Sequence, residues 1–148
     1  MEGYDGVPPA GVLIVGDDPE HARRMRQALS AGAGGVRVTA VDRLRSALEA
    51  VRDEAIGCAV TDLDLPDAEG VAIVRALRTA RRALPVIVVA ERVSAEVAVA
   101  AMKMGAADYL AKDERWAERL PCLVREALGR SVLAGLPAEG SEAITISP

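Results

Sequence analysis

Three features of the sequence predict an α/β fold, a doubly wound five-stranded parallel sheet with helices on both faces. Continuous apolar runs recur at Val12–Val15, Cys58–Thr61 and Pro85–Ala90, as in strands buried on both sides. Stretches with apolar residues at helical spacing lie between them. Asp17, Asp62 and Lys112 each stand where a strand ends, the edge at which open α/β sheets place their chemistry. Strand and helix alternate through five rounds, which implies parallel pairing with right-handed crossovers. The order 2-1-3-4-5 then puts the switch point between the first and third strands and brings Asp17 beside Asp62.

Residues 1–10, rich in Gly and Pro, read as a flexible leader. After the first strand, Asp18 is placed to N-cap a helix with Pro19 at its first position and Glu20 in its first turn. That helix runs from Pro19 to Ala31 with Ala22, Met25, Ala28 and Leu29 inward, and Gly32, Gly34 and Gly35 end it. Val36–Val41 alternates in the manner of an edge strand. Asp42 is the expected cap of a second helix over Leu44, Ala47, Leu48 and Val51. The third strand ends at Asp62, and turn signals from Pro66 to Gly70 follow. A third helix is expected over Ala68–Arg81, with Val71, Val74, Ala76 and Leu77 as its apolar set.

Pro85–Ala90, almost wholly apolar, is a central fourth strand. Ser94 suits an N-cap for Ala95–Met104, where Val97, Ala98, Ala101 and Met104 recur at helical spacing, and Gly105 falls at the C′ position. Asp108–Ala111 is a short fifth strand ending at Lys112. Glu114–Gly129 closes the domain as a helix carrying Trp116, Leu120, Leu123, Val124 and Leu128, with Pro121 expected to disturb its ladder or break it near Arg119. The domain thus spans residues 11–130, and 131–148 read as a loose tail or truncated linker.

Composition narrows the function. A formal charge of -4, with 18 Lys+Arg against 22 Asp+Glu, carries no basic bias toward nucleic acid. The run Arg23, Arg24 and Arg26 reads as a solvated helix face. Aromatics make up 2% and Phe is absent, so no base-stacking platform is visible. Cys58 and Cys122 have no metal or redox spacing and read as buried small hydrophobes. No apolar run approaches the ~20 residues needed to span a bilayer, and the expected compartment is the cytoplasm.

The strand ends carry Asp17 and Asp18, Asp62, Ala90 and Glu91, and Lys112. Taken singly, most of these have plain explanations: Asp18 as a cap, Asp67 and Glu69 as turn and first-turn acids, Lys112 as a surface lysine. Their co-location is what points to a site. Close carboxylates repel unless a cation joins them, and Mg²⁺ suits one or two carboxylates with water and phosphate oxygens. Beside such an ion and the Lys112 ammonium, Asp62 is placed to act as an in-line nucleophile toward a phosphoryl group.

These residues resemble the receiver domain of two-component response regulators, a flavodoxin-like fold. The resemblance rests on Val12–Pro19, on Asp62-Leu63-Asp64-Leu65-Pro66-Asp67-Ala68-Glu69-Gly70, on Pro85–Val89 and on Gly105–Lys112. It implies that Asp62 is the phosphoacceptor and Lys112 the phosphoryl contact. Asp17, Asp62 and the backbone carbonyl of Asp64 would be Mg²⁺ ligands, with Asp18 as a further candidate. Tyr109 would be the aromatic switch. The family implies a histidine kinase or phosphotransfer protein as phosphodonor. It also implies a downstream protein partner, or a homodimer, on the face of the fourth helix, fifth strand and fifth helix.

Three positions depart from the family. Gly16 occupies the slot of the first acid, Ala90 that of the Ser or Thr hydroxyl, and Asp113 that of the proline after the lysine. Glu91 adds negative charge beside the site. Asp64 and Arg92 border it, and an ion pair between them would shield an acyl phosphate. The leading expectation is therefore a phosphoreceiver and not an enzyme. A phosphorylation-independent interaction module, suggested by Gly16, Ala90 and Glu91, is the alternative. Asp62-Leu63-Asp64 also resembles the nucleophile motif of haloacid dehalogenase-type phosphatases, although that motif normally sits on the first strand.

Overall fold

Along the first strand, β1 (Ala10–Val15), alternate side chains enter two separate cores, and this two-residue period sets the layering of the molecule. The structure, a computed structural model, describes residues 10–32, 36–92, 94–113 and 115–134. Val12 and Ile14 pack with Met25, Leu29, Trp116 and Leu120 on one face. Leu13 and Val15 pack with Ala47, Val51, Ile73 and Leu77 on the other. The helices that supply these residues are α1 (Pro19–Gly32), α2 (Leu44–Ala50), α3 (Ala72–Ala80), α4 (Ala95–Lys103) and α5 (Trp116–Ala134). Helices α1 and α5 cover the first face and α2, α3 and α4 the second.

Beside β1 lie β2 (Val36–Val41) and β3 (Ile56–Thr61), and a short antiparallel pair, β4 (Asp64–Leu65) and β5 (Ala68–Glu69), follows β3. The remaining strands are β6 (Val86–Ala90) and β7 (Asp108–Ala111). The main sheet has the order β2-β1-β3-β6-β7, parallel throughout, which is the expected 2-1-3-4-5 arrangement of its five strands. Strand β3 is buried along its whole length, as its unbroken apolar run requires. Met25 and Leu29 of α1 and Ala101 of α4 are fully packed as their spacing predicts. Ser94 caps α4 by accepting the Val97 N–H at 3.3 Å. Gly105 follows that helix at φ +105, a conformation that favours glycine.

Several local expectations are corrected. Asp42 does not cap α2: the N-cap is Arg43 without a side-chain bond, and Asp42 instead pairs with the Arg43 guanidinium at 3.1 Å. The first N–H groups of α2 donate to Asp67, from Leu44 at 2.8 Å and Arg45 at 3.0 Å. A residue in the loop after β3 thus caps a helix 23 positions earlier. That loop folds as the β4–β5 hairpin and closes through Gly70 at φ +80, so α3 starts at Ala72 and not at Ala68.

Pro121 does not break α5, which continues from Trp116 through Gly129 to Ala134. The ring of Pro121 is buried where α1 and α5 meet; a Cβ on Gly32 would lie 2.9 Å from it. Packing against α1 offsets the single ladder bond that a proline removes. One turn further on, the Arg125 guanidinium donates to the Gly32 carbonyl. Cys58 is buried as expected, but Cys122 is exposed because it lies on the outer side of α5. The expected leader (all but residue 10), Gly34, Gly35, Glu114 and the tail beyond 134 lie outside the described residues.

Candidate functional site

The parallel arrangement delivers the ends of β1, β3, β6 and β7 to one cleft of about 410 Å³. Asp17, Asp18, Asp62, Asp64, Ala90, Glu91, Arg92 and Lys112 line it, together with His21. Backbone bonds fix the register of the two central groups. The Asp62 N–H donates to the Val15 carbonyl at 3.0 Å, and the Lys112 N–H to the Ala90 carbonyl at 2.8 Å. The Thr61 hydroxyl donates to the Asp62 carbonyl at 2.8 Å. The nucleophile candidate and the lysine are thereby held at the ends of β3 and β7, rigid strands on either side of β6, and not on loose loops.

Asp62 is 8% exposed. The Lys112 ammonium lies 2.8 Å from Oδ1 of Asp62, and the lysine side chain is 4% exposed. The approach has ion-pair distance without hydrogen-bond alignment, so Oδ1 is a buried oxygen that accepts no hydrogen bond among the described residues. Burial pushes the Asp62 carboxyl above its usual range. The positive charge of Lys112, and of His21 when protonated, opposes that rise, while Asp17 reinforces it. A hard cation placed among these oxygens would relieve both the desolvation and the repulsion.

Gly16 explains how Asp62 fits. A Cβ at residue 16 would stand 2.5 Å from Oδ2 of Asp62, so the carboxylate lies against the bare face of the glycine. The missing side chain has become space for the phosphoacceptor candidate. Asp18 acts as the helix cap, with Oδ1 accepting the Glu20 N–H at 2.9 Å and the His21 N–H at 3.4 Å. Asp64 and Arg92 both border the cleft, yet no ion pair joins them among the described residues. Tyr109 is partly buried against the core, and its hydroxyl donates to the Arg92 carbonyl at 3.2 Å. This ties the β7 aromatic to the loop after β6. Ala90 offers no hydroxyl.

Glu91 does not stand free opposite the carboxylate. Its Oε2 lies 3.8 Å from the Lys112 ammonium and 3.7 Å from Nε2 of His21. His21 was not legible as a site residue, since it lies in the first turn of α1, 91 positions from the lysine it contacts. Its Nδ1 is 2.8 Å from Lys112 Nζ, and its ring meets Trp116 edge-on at 6.1 Å. The only signal was that it is the single histidine of the chain. Away from the cleft, Val99, Met102 and Met104 on and just after α4 are 53%, 48% and 38% exposed. No helix among the described residues is long and apolar enough to cross a membrane.

The family model of the response regulator receiver domain matches residues 12–121. Among curated proteins, the response regulator protein FleR of Pseudomonas aeruginosa is 35% identical over 91% of this chain, which spans 28% of that protein. The transcriptional regulatory protein PrrA of Mycobacterium tuberculosis is 37% identical over 97% of this chain, which spans 59% of that protein. Among solved structures, the signal receiver domain of a LuxO-type repressor from Vibrio parahaemolyticus is 26% identical. It superposes with a TM-score of 0.75, covering 84% of this chain and 94% of that one. A CheY-like receiver domain protein from Methanospirillum hungatei is 25% identical with a TM-score of 0.74, covering 85% and 98%.

Proposed function

We propose that this chain, which belongs to the response regulator receiver domain family of two-component signalling, accepts a phosphoryl group on Asp62. The observation that carries this reading is the buried ion pair of Asp62 and Lys112 at 2.8 Å, in which Oδ1 accepts no aligned hydrogen bond among the described residues. A carboxylate oxygen of Asp62 attacks phosphorus, the bond from phosphorus to the donor's leaving nitrogen or oxygen breaks, and the electron pair departs with that atom. Lys112 supplies positive charge where the phosphoryl oxygens arrive. The donor is a histidine kinase or phosphotransfer protein.

The oxygen donors fit Mg²⁺: Asp17, Asp62 and the Asp64 carbonyl would hold it, and the repulsion between Asp17 and the buried Asp62 carboxylate is the feature that favours a hard cation there. Bound in that place, the ion would neutralise charge on the transferring group. Asp18 is the weaker ligand candidate because its Oδ1 already caps α1.

Residues 11–130 form the receiver unit of this reading, and its compartment is the cytoplasm. Its output is a protein contact, or a homodimer, on the α4–β7–α5 face, where Val99 and Met102 present apolar surface. Tyr109 is the switch element, tied through the Arg92 carbonyl to the loop that borders Asp62. Gly16 and Ala90 are what a phosphorylation-independent module would show. The intact Asp62–Lys112 pair weighs against it, as it does against phosphatase chemistry on the first strand. Incubation with acetyl phosphate and Mg²⁺, followed by intact-mass measurement, tests the proposal. One phosphoryl mass should appear on the unmodified protein and none on Asp62→Asn; equal adducts on both would remove Asp62 from its role.

A further inference from the structure

We propose that His21 is a positioning residue that holds the Lys112 ammonium beside Asp62, an inference that rests on the receiver reading for its functional consequence. Lys112 has two close partners, and they differ in kind. Its contact with Asp62 Oδ1 at 2.8 Å lacks hydrogen-bond alignment, whereas its contact with His21 Nδ1 at 2.8 Å has it. An ammonium group has only hydrogens to give, so Nδ1 is the acceptor and Nε2 carries the ring hydrogen, on the side of Glu91 Oε2 at 3.7 Å. The carboxylate gives the lysine head an ion pair, and the imidazole gives it an aligned hydrogen bond.

The residue and its ring are held at three points. The main-chain N–H of His21 donates to the Asp18 cap at 3.4 Å, the ring edge packs on Trp116 with an interplanar angle of 76°, and Glu91 Oε2 lies 3.7 Å from the far nitrogen. Trp116 is 2% exposed and also lies 5.8 Å from Lys112 Nζ, so one aromatic ring backs both partners. A lysine head is a compact charge on a flexible four-carbon stem. Charge stabilises a transferring phosphoryl group most when it needs no reorganisation at the moment of reaction. With no hydroxyl at Ala90 to help orient the incoming group, the placement of Lys112 matters more, and His21 supplies it.

Two measurements on the same variants decide this. The chain has two lysines, Lys103 and Lys112, and Lys103 is exposed, so it serves as the internal standard for acylation of lysine amines read by peptide mass. His21→Leu removes the acceptor, and His21→Asn places an amide oxygen near the position of Nδ1. For His21→Leu we expect Lys112 labelling to rise, and acyl phosphate formation from acetyl phosphate to slow, each by about tenfold, as for a lost hydrogen bond to a charged group. His21→Asn should bring both to within about threefold of the unmodified protein, the residual effect being imperfect geometry.

In a Lys112→Met background, His21→Leu should change the phosphorylation rate no further. Labelling of Lys112 that is unchanged in His21→Leu, or an equal slowing with and without Lys112, overturns the proposal. If the unmodified protein takes no phosphoryl group at all, the receiver reading fails, while the labelling result still decides whether His21 holds Lys112. Should His21→Leu not fold, His21→Gln replaces it, because its amide reaches the Nε2 position and should fail to protect Lys112.

Discussion

Replacing Gly16 with alanine should damage the chemistry while sparing the fold, and the distances say why. The added Cβ would stand 2.5 Å from Oδ2 of Asp62 and 3.3 Å from its Cγ. To regain an ordinary contact of 3.4 Å, Oδ2 must retreat by roughly 0.9 Å. What it meets is the end of a side chain and not backbone, and Gly16 is not among the glycines with positive φ. Folding should therefore lose no more than about 1 kcal/mol.

The same displacement turns the carboxylate that lies 2.8 Å from Lys112, and a misplacement near 1 Å can slow a reaction by about 100-fold. Thermal melts paired with the rate of acyl phosphate formation test this. We expect a melting temperature within a few degrees of the unmodified protein and a rate lower by about 10- to 100-fold. Phosphorylation at the original rate would refute the steric role of Gly16, and so would a collapse of the melting temperature. Gly16→Asp adds a carboxylate to the same displacement, so it should be the less stable of the two without Mg²⁺ and the more stable with it.

Other features give independent tests. Asp67 caps α2 through the backbone N–H groups of Arg45 and Leu44, which hold its carboxyl below the ordinary 3.8. Its stabilising effect is present above 3.8 and lost as pH falls through the lower folded value. The melting difference between the unmodified protein and Asp67→Ala should therefore be full near neutrality and vanish in strong acid; a constant difference would contradict the cap. The Arg81 guanidinium reaches the carbonyls of Ile56 at 2.7 Å, Val51 at 3.1 Å and Asp53 at 3.3 Å. Arg81→Met should lower stability by about 2 kcal/mol in urea titration. Cys122 should react with a thiol reagent in the folded protein and Cys58 only on unfolding, as their exposure requires.

The sheet was readable because burial on both faces leaves a continuous apolar signature, and β3, buried from Ile56 to Thr61, carries it over Cys58–Val60. Asp17, Asp62 and Lys112 were readable for a related reason: strand order alone brings their positions together. What escaped depends on contacts between distant side chains. Asp67 looked like a turn acid because nothing local connects it to Leu44, and nothing in the order of residues joins His21 to Lys112, 91 positions away. Pro121 was expected to damage α5 because its compensation lies in Gly32 of another helix. The space that Gly16 leaves for Asp62 has no one-dimensional trace at all. Sequence periodicity reports which face is buried, whereas these features report what lies across from it.

Chemical trapping places the phosphoryl group on a single residue of the chain. Reaction with acetyl phosphate and Mg²⁺, followed by borohydride, reduces an aspartyl phosphate to homoserine, which peptide mapping then places in the sequence. We expect homoserine at position 62 alone, with the yield sharply lower in Lys112→Met. Homoserine at another aspartate, or none in a protein that nonetheless gains phosphoryl mass, would contradict it.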